Sequence, residues 1–127
     1  MSDLKKIFIV DDDSFLLDMY ALKFTQKGFE VHTSLGSLPA LEKIRSGFVP
    51  DILLLDIVMP EMDGFELLEK LKEENLIKDT IKIILSNRGA QADILKGESL
   101  GAIGYIVKAT STPSEVLLKV SEIINKN

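Results

Sequence analysis

The sequence predicts an α/β domain, a five-stranded parallel sheet in the order 2-1-3-4-5 with helices on both faces. Two observations lead there. Five short apolar runs alternate strictly with five longer amphipathic stretches, and such alternation makes a parallel sheet covered on both sides. The runs 7–10 and 52–55 are apolar throughout, so those strands are buried on both faces and lie centrally. The topological switch then falls between the first and third strands. At 127 residues the chain has the length of one ordinary domain, so residues 1–127 read as a single unit.

Each element has a local reason. Ile7-Phe8-Ile9-Val10 is the first strand. Asp13 or Ser14 caps the helix after it, Leu17, Ala21 and Phe24 form its apolar stripe, and Gly28 ends it. Residues 30–33 make a more polar strand, nearer an edge. Residues 37–46 read as a short helix, opened by Ser37 and Pro39 and closed by Gly47. Ile52-Leu53-Leu54-Leu55 is the third strand. Residues 64–74 are a helix with Phe65, Leu68 and Leu71 on one side, and Asp63-Gly64 is the turn that feeds it. Lys82 to Leu85 is the fourth strand, and residues 90–100 a helix weakened by Gly97. Tyr105-Ile106-Val107 is a short last strand. Thr112-Pro113-Ser114-Glu115 is a capping box with Pro at the first helical position. The final helix carries Val116, Val120 and Ile123 inward.

Composition narrows the function. With 46% hydrophobic and 28% charged residues, the chain has the make-up of a soluble globular protein. There is no Cys and one His, His32, which excludes disulfides and thiol catalysis and leaves zinc without a ligand set. This suits a reducing cytoplasm. His32 reads as an exposed strand residue. A net charge of −5 is poorly suited to neutralising nucleic-acid phosphates. The purest apolar runs are four residues long, against ~20 for a spanning helix, so no membrane insertion is expected. The run behind Lys5 and Lys6 stops at Asp11, short of the ~7–15 residues of a signal core.

The polar residues of interest each follow an apolar run directly. Asp11, Asp12 and Asp13 follow the first, Asp56 the third, Ser86 the fourth and Lys108 the fifth. Parallel strands all point one way, so these residues gather at the carboxyl edge, where open α/β sheets bind ligands. Carboxylates brought close need a counter-charge. Oxygen ligands without His or Cys suit Mg²⁺. A hydroxyl and an ammonium opposite the metal suit phosphoryl oxygens. A carboxylate can itself be the nucleophile and form an aspartyl phosphate.

Val10-Asp11-Asp12-Asp13, the stretch from Leu54 to Gly64, Ser86, and Gly104-Tyr105 through Lys108 together resemble a receiver domain of two-component response regulators, of the chemotaxis-regulator type. The resemblance spans nearly the whole chain and implies a doubly wound, flavodoxin-like sheet. It implies that Asp56 is the phospho-acceptor. Asp11 and Asp12 would be the acidic pair for Mg²⁺, completed by Asp56 and the backbone carbonyl of Val58. Ser86 would hydrogen-bond the phosphoryl group and report it, Lys108 would pair with a phosphoryl oxygen, and Tyr105 would change rotamer on activation. The chain would then be a signalling switch and not an enzyme. Its donor would be a histidine kinase or histidine phosphotransfer protein. Phe15 and Leu16 would meet that donor, and the face of the fourth helix, last strand and last helix would carry the output.

Two positions depart from the family pattern. Receivers usually carry a small residue after the Ser or Thr, where this chain has Asn87 with Arg88 behind it. They usually follow the Lys with Pro, often through a cis bond, where this chain has Ala109. A cis bond before Ala costs ~3 kcal/mol, against ~1 before Pro. Either that cost is met, or the loop is rebuilt and Lys108 sits differently. Two rival functions stand beside the switch. One is a phosphorylation-independent receiver-like interaction module, supported by Asn87 and Ala109. The other is a small phosphatase of the haloacid dehalogenase type, which also places Asp-x-Asp after a first strand. Against the second, Phe15 stands where Thr or Val is expected.

Overall fold

The computed structural model describes residues 5–126. Residues 1–4 and 127, which the single-domain reading includes, lie outside the described residues. The strands are β1 (Lys6–Asp11), β2 (Glu30–Leu35), β3 (Ile52–Leu55), β4 (Ile81–Ser86) and β5 (Ala102–Val107). They alternate with helices α1 (Ser14–Lys27), α2 (Ser37–Arg45), α3 (Gly64–Glu73), α4 (Gln91–Ser99) and α5 (Pro113–Lys126). The sheet runs β2-β1-β3-β4-β5, and every neighbouring pair is parallel.

Alternation along the central strands splits the core in two. Phe8, Val10, Leu53, Leu55 and Ile84 face α2 and α3. Ile7, Ile9, Leu54, Leu85 and Ile106 face α1 and α5. All of β3 is buried, which is why its run is apolar without interruption.

Helix ends follow side-chain chemistry at three places. Asp13 accepts the amides of Phe15 and Leu16 at 3.1 Å each and caps α1. Asp63 and Glu66 form a reciprocal capping box on α3, at 2.8 and 2.9 Å. Thr112 and Glu115 do the same for α5. Helix α2 opens at Ser37 as expected, but no serine side chain caps it. Its cap is Gly36 at φ 101° with no side-chain bond, and the Ser37 hydroxyl is buried beside the Met59 sulfur at 3.9 Å. The inward stripe of α1 is Leu17, Tyr20 and Phe24. Ala21 is only half-buried, because the larger Tyr20 fills the space one residue earlier. His32 is likewise half-buried and not exposed. Its ring packs on Phe48 with centroids 4.6 Å apart, and its nitrogens face Glu30 at 2.7 Å and Lys43 at 3.2 Å.

Helix α4 is held more lightly than the others. It has no side-chain cap, and Gly97 is its one fully buried residue. A Cβ at Gly97 would stand 2.5 Å from Ile84 Cδ1, so glycine lets this helix sit close on the sheet.

Candidate functional site

The parallel sheet does what the polar residues at the strand ends require. Asp11 ends β1, Asp56 follows β3, Ser86 ends β4, and Lys108 follows β5. They meet at the carboxyl edge. The Lys108 ammonium lies 2.7 Å from Asp11 Oδ2 and 3.0 Å from Asp56 Oδ2. Asp11 and Asp56 are 1% and 6% exposed, so the ammonium is the counter-charge that two buried carboxylates need. Their remaining oxygens are also engaged. Asp11 Oδ1 accepts the amide of Asp13 at 3.0 Å, and Asp56 Oδ1 accepts the amide of Ile57 at 2.7 Å.

Burial pushes the Asp56 carboxyl above the ordinary carboxylate range, while Lys108 pulls against that shift and Asp11 adds to it. Burial also works against the charge of Lys108, but the hydrogen bond to Asp11 and the attraction of both carboxylates outweigh it and raise its pKa. The triad therefore holds its ammonium firmly, while burial works against the charged form of Asp56.

A ligand oxygen from each of Asp11, Asp12 and Asp56 lies within 4.8 Å of the others. Asp12 is exposed and lines a cleft of ≈ 370 Å³ together with Asp13, Leu16, Asp56, Val58, Ser86, Asn87 and Lys108. This donor set is all oxygen, which fits a hard divalent cation such as Mg²⁺. Ser86 is fully buried at the cleft, and its Oγ accepts the amide of Arg88 at 3.2 Å. Its O–H is also in hydrogen-bonding reach of the Tyr105 hydroxyl, whose own proton goes to the Arg88 carbonyl.

Tyr105 does not line the cleft. Its hydroxyl donates to the carbonyl of Arg88, so it grips the same loop that bonds Ser86. Asn87 is exposed at the mouth. Phe15 points outward at 70% exposure, while Leu16 is half-buried and packs against the core. Among the described residues no peptide bond is cis, so the bond into Ala109 is trans. Residues Lys108–Thr110 form a 3-10 turn instead, closed by the Ser111 amide on the Lys108 carbonyl at 3.1 Å. The loop is rebuilt, yet Lys108 still reaches both carboxylates.

One residue of this region was not singled out from the sequence. Tyr20 is buried on α1, and its hydroxyl feels Lys108, Asp11 and Asp56. A tyrosine seven residues after the Asp13 cap lies on the inward face of the helix, which was the available signal. Arg88, noted from the sequence only as standing behind Asn87, bonds Ser86 and Tyr105 through its backbone, a role that side-chain type does not signal.

Fold and site together define an α/β signalling domain organised around a carboxylate at its sheet edge. Residues 7–121 match the family model of the response regulator receiver domain, and the chain belongs to that family. It is 29% identical over 97% of its length to the alkaline phosphatase synthesis transcriptional regulatory protein PhoP of Bacillus subtilis, covering 50% of that protein. It is 31% identical to the phosphate regulon transcriptional regulatory protein PhoB of Rhizobium meliloti, covering 97% of this chain and 53% of that one. The chain thus spans about half the length of the curated relatives it matches. Among solved structures, the chemotaxis protein CheY4 of Vibrio cholerae superposes with a TM-score of 0.85 at 26% identity, covering 95% of this chain and 99% of that one. A CheY-like receiver domain protein of Methanospirillum hungatei gives 0.85 at 31% identity, covering 98% and 96%. Receiver domains are in general signalling proteins and not enzymes. No helix among the described residues is long and apolar enough to cross a membrane.

Proposed function

We propose that this receiver is a cytoplasmic, phosphorylation-dependent switch whose phospho-acceptor is Asp56. The observation that carries this reading is the Lys108 ammonium set between the buried carboxylates of Asp11 and Asp56. Mg²⁺ would be held by Asp11, Asp12, Asp56 and the carbonyl of Val58, and when bound it supplies positive charge to phosphoryl oxygens. A carboxylate oxygen of Asp56 attacks phosphorus of a phosphohistidine. The new O–P bond forms as the P–N bond breaks, and the electron pair leaves with the imidazole, which takes a proton. Lys108 meets the charge on a phosphoryl oxygen, and the O–H of Ser86 turns from Tyr105 to donate to another. Burial around Asp56 strengthens each of these interactions.

The donor is a histidine kinase or histidine phosphotransfer protein, and the exposed Phe15 beside the cleft is its apolar contact. The tie from Ser86 through the Arg88 backbone to Tyr105 carries the change toward the face of α4, β5 and α5. The whole of residues 1–127 acts as one such unit. The test is incubation with acetyl phosphate and Mg²⁺ followed by intact mass measurement. One added phosphoryl mass in the wild type and none in Asp56→Asn is expected. Equal labelling of the two would refute the assignment.

A further inference from the structure

A second cleft, of ≈ 300 Å³, opens at the amino edge of the sheet, between the end of α3, the start of β4 and the end of α4. It shares no lining residue with the acidic cleft. Lys82 begins β4 while Ser86 ends it, so the two sites are separated by about 13 Å of strand.

The walls of this cleft are apolar. Leu68 and Leu71 are buried core residues, and Leu76 and Leu100 pack against the same core from the rim. Its charge has the opposite sign to the chain as a whole. Lys72, Lys78 and Lys82 line it, against the single carboxylate of Glu98. Among the described residues, none of these lysines takes part in an ion pair. Lys82 donates to the carbonyls of Ile77 at 2.9 Å and Thr80 at 3.2 Å. Lys72 reaches the Ser99 carbonyl across the cleft at 3.5 Å. A half-buried ammonium held by two neutral carbonyls keeps one N–H and its full charge uncompensated. Burial lowers the pKa of Lys82, and Asp79 opposes that shift without pairing with it.

The loop below the cleft is strained. Asn75 and Ile77 have φ of 56° and 43°, and the left-handed region is costly for a β-branched residue. Ile77 is nonetheless 8% exposed and fixed by its carbonyl, which accepts from both Lys82 and the Thr80 amide. Strain of this kind persists where the surroundings over-determine it, and it gathers at ligand sites.

We propose that this cleft binds a small amphipathic anion, a carboxylate on a short apolar chain, with the carboxylate on Lys78 and Lys82 and the chain along Leu68, Leu71, Leu76 and Leu100. Three lysines against one glutamate exclude a cation. The leucine walls have no use for a bare inorganic anion. A volume near 300 Å³ is the size of a small-molecule site and not of a macromolecular interface.

The test is amide chemical-shift titration of the ¹⁵N-labelled chain with hexanoate, hexylammonium and inorganic phosphate, without phosphodonor. It is therefore independent of the phosphorylation reading. Hexanoate should shift amides of residues 71–78 and 98–101 saturably, and hexylammonium and phosphate should not do so at the same concentrations. Lys78→Gln, at an exposed position, should weaken hexanoate about threefold. Lys82→Met should weaken it further, with folding checked by the rest of the spectrum. No saturable shift in those segments would overturn the proposal. So would an equal response to hexylammonium or phosphate, or an affinity unchanged in both variants.

Discussion

Replacing Lys108 by Met tests whether the ammonium holds the acidic edge together. The substitution keeps most of the aliphatic stem and removes the charge between Asp11 Oδ2 and Asp56 Oδ2. Breaking a buried pair by deleting one partner costs ~3–5 kcal/mol, because the other charge is left uncompensated. Here the ammonium faces a solvent-filled cleft and Asp56 can respond by taking a proton, so the low end, ~3 kcal/mol, applies. For a chain of 127 residues total stability is of order 6–19 kcal/mol. The loss is then a substantial fraction, and about 10 °C in Tm.

The pH dependence distinguishes this cause from lost packing. A carboxyl whose folded pKa is raised binds its proton more tightly folded than unfolded, so stability falls as pH rises through that raised value. Burial already places Asp56 in this position, and losing Lys108 moves it further. The penalty of Lys108→Met should therefore be largest at pH 7 and shrink toward pH 5. Lys108 itself has a raised pKa, so the wild type alone should lose its contribution as pH climbs through that higher value. Urea unfolding at pH 5, 7 and 9, with and without Mg²⁺, measures the Asp56 effect, and extending the wild-type series to pH 11 and above reaches the range in which Lys108 titrates. Added Mg²⁺ should restore much of the variant's loss at pH 7. A loss below ~1 kcal/mol at pH 7, or one equal at pH 5 and insensitive to Mg²⁺, would refute the reasoning.

Asp12→Ala should raise the thermal midpoint of the metal-free protein, by removing an exposed like charge from the cluster of Asp11, Asp12 and Asp56. It should also abolish most of the midpoint gain on adding Mg²⁺, read by differential scanning fluorimetry. Gly64→Ala should destabilise by about 3 kcal/mol in urea unfolding. Its Cβ would stand 2.2 Å from the backbone oxygen of Asp56 and 2.9 Å from Ile57 Cα, and no side-chain movement can relieve that. Asn87→Ala should shorten the lifetime of the phosphorylated form with little change in Tm, since Asn87 is exposed at the cleft mouth. Decay of the phosphorylated mass peak is the measurement, and a longer lifetime would show that Asn87 is not a gate against water.

How much of this was legible in the sequence depended on whether one residue type or a tertiary arrangement carried the information. The central strands were readable because burial on both faces leaves only one kind of sequence, as Ile52 to Leu55 shows. Strand β5 begins at Ala102, three residues before the expected Tyr105. Ile103 in between is 47% exposed and Gly104 carries no side chain, so no apolar run marks the start. A Cβ at Gly104 would stand 2.5 Å from Ile123 Cδ1, a contact with α5 that the strand's own sequence does not reveal. Gly36 for Ser37 at the start of α2 is a similar case. A serine reads as a cap until the fold gives its hydroxyl another place.

The site was legible at its strand ends and not between them. Parallel topology alone brings Asp11, Asp56, Ser86 and Lys108 to one edge, and that follows from counting apolar runs. Whether Lys108 then reaches the carboxylates depends on residues 108–110, where Ala109 removes the usual constraint of proline. Two outcomes were open on the sequence, and local propensity could not decide between them, because alanine accepts the 3-10 turn and an extended loop alike. What decides it is the pair of buried carboxylates. Asp11 is 1% exposed, and its carboxylate also accepts the Asp13 amide. An ion so buried without a cation would cost several kcal/mol, far more than selecting one turn over another. The trans turn at Lys108–Thr110 is therefore set by the acidic edge it serves, and substitutions at Ala109 should be tolerated as long as they leave that turn its backbone amides.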